Sequence, residues 1–98
     1  VSEQVAREMA LGALLHSRAD IAISITGIAG PSGGSPNKPI GTVCFGLAGV
    51  DNFIQVDRQV FSGDRSQVRN QSICHALQLI DNYIKSDFLL SKSKKNQI

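Results

Sequence analysis

Ile21, Ile23 and Ile25 alternate with Ala22 and Ser24, and this run constrains the architecture more than any other part of the chain. β-Branched residues at every second position favour a strand. The small residues between them leave no solvated face. A short strand over Asp20 to Ile25 therefore needs something packed on both of its sides.

The flanking sequence supplies the layers. Before the run, Val5, Ala6, Met9, Ala10, Ala13 and Leu14 recur at three and four residues, one apolar helical stripe. Ser2 stands where an N-cap is needed, so a helix is predicted over about 3–17. After it, Gly41 to Gly49 (GTVCFGLAG) reads as a second, mostly apolar strand and Phe53 to Phe61 as a third. Val50-Asp51-Asn52 between them is turn sequence, which predicts an antiparallel hairpin. In the third strand Ile54, Val56 and Val60 share one face and Gln55, Asp57 and Gln59 the other. That alternation predicts one solvated side and a place near the sheet edge. Ser62-Gly63-Asp64 is a helix start, with Asp64 suited to the positive end of the dipole. Val68, Ile73, Ala76, Leu77, Ile80 and Ile84 form the stripe of a long second helix over about 64–86. The predicted core includes Met9, Ile23, Val43, Ile54, Ile73, Leu77 and Ile80. The chain divides into a folded part, 1–86, and a polar, lysine-rich tail, 87–98.

Composition narrows the function. Of the 98 residues, 42% are hydrophobic and 18% charged, which is globular rather than disordered. A chain of this length makes one small domain or part of a larger one, with a thin core. The net charge of +2 owes much to Lys92, Lys94 and Lys95, so nothing points to nucleic acid as a partner. No apolar run is long enough for a membrane span, and no signal peptide is visible. Because the chain begins at Val1, the natural N-terminus is expected to lie further upstream. Cys44 and Cys74 sit in no CxxC or metal-ligand spacing; two reduced, buried thiols in a cytoplasmic protein are the expectation.

Thr26 to Gly34, TGIAGPSGG, places four glycines and a proline straight after the first strand. Exposed backbone N–H groups in such a loop can converge on an anion. Gly27, Gly30, Gly33 and Gly34 would remove side chains from that approach, and Lys38 would add charge. There is no GxxxxGK[ST] and no GxGxxG, and the loop does not open into a helix. From spacing alone it is either a plain connector or an anion-binding loop. Its length, to about Pro39, is unusual for an idle connector.

Four segments in order, VSEQVAREMALGAL, DIAISITGIAGPSGG, KPIGTV and FSGDR, resemble the C-terminal domain of the CinA family, the nicotinamide-nucleotide amidohydrolases, over roughly residues 1–82. The resemblance implies a three-layer α/β/α domain with a mixed sheet of about five strands, of which this chain carries the C-terminal part: helix, three strands, helix. It implies hydrolysis of the carboxamide of nicotinamide mononucleotide (NMN) to nicotinic acid mononucleotide and ammonia, with no cofactor. The glycine loop would then wall the nucleotide pocket, with Thr26 and Gly27 at the end of the first strand, where open α/β sheets hold ligands. Arg65 in FSGDR would be a substrate or catalytic-site arginine, gripping phosphate or carboxylate through its fork of donors. Arg69, one turn on, is the weaker candidate. The family's nucleophilic serine lies in an ESCTGG-like motif, and its tyrosine and lysine helpers in a TYSNEAK-like segment. Both are upstream in the family and neither occurs in these 98 residues. Cys44 stands where many relatives have an aromatic residue.

The remaining candidates have plainer readings. Asp64 is a cap, His16 and His75 have no evident partners, Tyr83 belongs to core or interface, and no residues have metal-ligand spacing. A thin half-sheet exposes strand edges and favours self-association into a homo-oligomer. Two functions follow. One is the nucleotide-binding part of an amidohydrolase; the other is a non-enzymatic interaction module linked to competence or DNA damage.

Overall fold

The computed structural model describes residues 2–27 and 39–88. Its elements follow in the predicted order: α1 (Glu3–Leu15), β1 (Ala22–Gly27), β2 (Thr42–Ala48), β3 (Ile54–Val60) and α2 (Arg65–Tyr83). A π-helical turn, Ile84–Phe88, replaces the expected straight end of α2. Ser2 caps α1, its hydroxyl accepting from the Val5 amide at 3.1 Å.

The sheet order is β1-β2-β3, and both pairings are antiparallel. These are the three strands expected of this chain, and among the described residues they form an antiparallel unit. The β2–β3 connection is the predicted hairpin. Asp51 and Asn52 both have positive φ, 56° and 63°, and the Phe53 amide donates to the Val50 carbonyl at 3.1 Å. Two left-handed residues in this position twist the turn to match the strands it joins.

Cross-strand partners share a face, so register assigns the layers. Ile23 and Ile25 stand opposite Leu47 and Phe45. This face meets α2 in a core of Val43, Phe45, Leu47, Val68, Ala76, Leu79 and Tyr83. Ser24 and Thr26, opposite Gly46 and Cys44, take the other face. There α1 buries Ala6 and Ala10, and the Ser24 hydroxyl donates to the Ala6 carbonyl at 2.5 Å. A Cβ on Gly46 would overlap that same carbonyl, so α1 sits as close as it does because residue 46 has no side chain. One helix on each face is the predicted three-layer order.

Several side chains fall elsewhere than predicted. Met9 is 48% exposed, Ile73 44% and Leu77 61%. Ala6 and Ala10 hold the centre of the α1 contact and leave Met9 at its rim. On α2 the buried line runs Val68, Ser72, Ala76, Leu79, Tyr83, so Ile73 and Leu77 lie on the flank beyond it. Val43 is buried, and Ile23, Ile54 and Ile80 are partly buried. In β3 the faces are reversed over its second part: Val56 and Val60 are exposed, while Asp57 and Gln59 are half-buried, although Ile54 and Gln55 keep the predicted sense. Neither cysteine forms a disulfide; Cys44 is buried as expected, but Cys74 is exposed.

The reversal in β3 gives His75 a partner. Its Nε2 lies 2.5 Å from Asp57 Oδ2, and its ring packs at 4.7 Å from Phe45. Burial alone would raise the Asp57 pKa, but hydrogen bonds from His75, Gln59 and the Arg58 backbone outweigh it and hold the carboxyl below 3.8. A depressed pKa contributes stability above the unfolded value, about 3.9, and loses it as pH falls through the folded value. Asp57→Asn is expected to cost about 1 kcal/mol near neutral pH and to flatten the acid limb of stability below about pH 4. Urea unfolding at pH 7 and pH 3 measures this; an equal loss at both would assign the effect to packing instead.

Candidate functional site

The start of α2 is built with unusual local definition. Gly63 takes φ 115°, a region L side chains rarely enter, and its position against the Gln67 side chain leaves no room for a Cβ. Asp64 then closes a capping box: its carboxylate accepts from the Gln67 amide at 2.9 Å, and Gln67 Oε1 accepts from the Asp64 amide at 2.8 Å. The expected capping role of Asp64 is therefore met. The box fixes Arg65 as the first residue of α2 and Arg69 one turn further on.

These two arginines meet the end of β1. A cavity of about 380 Å³ lies between them, lined by Ile25, Gly27, Val43, Arg65, Val68, Arg69, Ser72 and Ile73. That volume falls in the range of small-molecule sites, about 300–1,000 Å³. Its floor is apolar, and its charged lining residues are both cations. The Ser72 hydroxyl is engaged within the helix, donating to the Val68 carbonyl at 2.7 Å. Such a pocket suits a ligand with an apolar or aromatic body and an anionic group.

Of the predicted site residues, Gly27, Arg65 and Arg69 come together here. Thr26 does not: register turns its side chain to the α1 face, where its Oγ1 is buried without a hydrogen-bond partner among the described residues. Gly30, Gly33, Gly34 and Lys38 lie outside the described residues. The apolar wall of Ile25, Val43, Val68 and Ile73 was missed as a site feature. The signal was the strand period, which places Ile25 on the face of α2. No group of three or more metal-ligating side chains occurs among the described residues, and no described helix is long and apolar enough to cross a membrane.

The comparison with known proteins decides the family: the model of the CinA C-terminal domain matches residues 1–84. The chain belongs to the CinA C-terminal domain family. It is 56% identical over 78 residues to nicotinamide-nucleotide amidohydrolase PncC of Enterobacter agglomerans, a match covering 80% of this chain and 48% of the relative. It is 54% identical over 80 residues to the PncC of Escherichia coli K12, covering 82% and 48%. The crystal structure of competence damage-inducible protein A (ComA) from Klebsiella pneumoniae superposes with a TM-score of 0.81 at 34% identity, covering 89% of this chain and 53% of that one. The CinA-family chain described here thus spans about half the length of the curated relatives it matches.

Proposed function

We propose that this chain supplies the substrate-binding part of a nicotinamide-nucleotide amidohydrolase. The observation that carries the reading is the cavity in which Gly27, Arg65 and Arg69 converge, within a stretch over half identical to proteins named for that activity. Arg65 and Arg69 hold the phosphate of NMN by charge-assisted hydrogen bonds. The apolar floor takes the ring and ribose, and the backbone at Gly27 comes close to the ligand. Gly30, Gly33, Gly34 and Lys38 extend the phosphate contacts. The reaction breaks the carboxamide C–N bond, forms a C–O bond from water and releases ammonia. Following the resemblance, the serine that attacks the carboxamide carbon comes from the ESCTGG-bearing part of the family domain. Pyridine nucleotide salvage in the cytoplasm is the setting this chemistry fits.

The 98-residue chain alone is therefore expected to bind NMN weakly and not to hydrolyse it. Ser24, Ser32, Ser35 and Ser62 have no evident base in the sequence: Ser24 is a buried donor to a backbone carbonyl, Ser62 is exposed, and Ser32 and Ser35 lie outside the described residues. Titration with NMN, followed by amide NMR, should shift Gly27, Arg65 and Arg69 together without release of ammonia. Absence of those shifts would remove the binding role, and ammonia above a buffer control would overturn the division of labour. The competence name carried by the Klebsiella relative favours a second reading, an interaction module without hydrolysis. It predicts no response to NMN in the same titration.

A further inference from the structure

Gly63 is a pivot between the sheet and α2. Its φ of 115° turns the chain from the end of β3 into the helix, and Arg65 follows two residues later. The capping box of Asp64 and Gln67 lies wholly on the helix side of that pivot. It defines the first turn but does not tie it to what comes before. Gln71 makes that tie. Its Nε2 donates to the Ser62 carbonyl at 2.8 Å, nine residues back and across the pivot, and to the Gln67 carbonyl at 3.0 Å. One carboxamide thus joins the residue before Gly63 to the backbone of the capping residue Gln67.

The strand side of the pivot is itself pinned. The Phe61 amide donates to the Gly41 carbonyl at 2.9 Å, and a Cβ on Gly41 would overlap the Phe61 carbonyl. The chain at 61–62 is therefore held against the start of β2. The cavity takes Gly27 and Val43 from the sheet and Arg65 and Arg69 from α2, so the setting of α2 against the sheet decides its width. Arg69 directly follows Val68, whose burial holds that turn in the core. Arg65 stands one turn earlier, in an exposed first turn, where a helix lacks part of its own hydrogen bonding.

We propose that Gln71 is a positioning residue for Arg65. By bonding the Ser62 carbonyl across Gly63, it holds the first turn of α2 where the Arg65 guanidinium reaches an anion in the cavity. Gln71 is not among the residues lining that cavity, so it acts through Arg65 and not on the ligand. The inference deepens the substrate-binding reading given above and rests on it.

The test titrates the 98-residue chain with NMN and reads the dissociation constant from the amide shifts of Gly27 and Arg69. Gln71→Leu keeps the helix propensity and removes the donor. It should weaken binding by about 3–10-fold, the size of one hydrogen bond. The loss should run through Arg65. In an Arg65→Ala background Gln71→Leu should change nothing further, whereas in an Arg69→Ala background it should keep its full factor. A general loosening of the fold would act in both backgrounds alike. Gln78→Leu, two turns on along the same exposed face, should bind NMN as the parent chain does. The inference is overturned if Gln71→Leu binds as tightly as the parent, if Gln78→Leu weakens binding equally, or if the loss persists in full without Arg65. A parent chain that does not respond to NMN removes the proposed function and this inference with it. A parent chain that responds, with Gln71→Leu unchanged, removes this inference alone.

Discussion

Arg65→Ala is expected to lower kcat/KM for NMN hydrolysis by roughly 10–1000-fold, the loss of about 1.5–4 kcal/mol of charge-assisted contact. The assay uses the chain fused to the unmatched half of the Escherichia coli relative. A helix start carries partial positive charge and disfavours a cation, yet the capping box of Asp64 and Gln67 fixes an arginine there. An anionic ligand in the cavity lined by Arg65 and Arg69 would offset that repulsion. Arg65→Lys should rescue poorly, because one ammonium cannot reproduce the planar fork. The melting temperature should move little, since Arg65 is exposed and the cap is made by its neighbours. Arg69→Ala should have the smaller kinetic effect. Near-normal kinetics for Arg65→Ala would make it a surface residue and leave the glycine loop to carry binding.

Arg65 also shows what could be read in advance. Its place at the start of α2 follows from SGD before an apolar stripe, and the hairpin from a turn sequence between two strands. These are local signals, decided within a few residues. Which face each strand turns inward is not local. Asp57 and Gln59 look solvated by alternation, but the face they share receives His75 from α2, a residue 18 positions away. The same limit applies to Ile73 and Leu77. Their spacing predicts burial, but both are exposed, because α2 turns Val68, Ser72, Ala76, Leu79 and Tyr83 to the sheet instead. At the site, Gly27, Arg65 and Arg69 are candidates from the sequence and line one cavity, whereas the separation of Thr26 from it came only with the β1–β2 register.

Gly46→Val is expected to destabilise the fold by about 3 kcal/mol or more, at the upper end of overpacking costs. The new side chain would have to occupy the space of the Ala6 carbonyl, which also accepts from Ser24. Relief requires α1 to lift from the sheet. That exposes Ala6 and Ala10 and leaves the buried Ser24 hydroxyl unsatisfied. For a chain of this size the melting temperature should fall by roughly 12–24 °C. Circular dichroism melts would measure it, and a fall of less than about 4 °C would mean that α1 does not depend on this close approach.

Tyr83, at the last turn of α2, reaches the far end of the hairpin. Its hydroxyl accepts from the Val50 amide at 3.0 Å, and its ring lies 4.4 Å from Phe53. The chain has one tyrosine and no tryptophan. Its near-ultraviolet absorption and emission therefore come almost entirely from a single ring seated where helix and hairpin meet. Far-ultraviolet ellipticity follows the backbone of every element, while this one chromophore follows the closure of a specific joint. Together they separate formation of the helices from their docking in any unfolding or refolding record, with no label introduced.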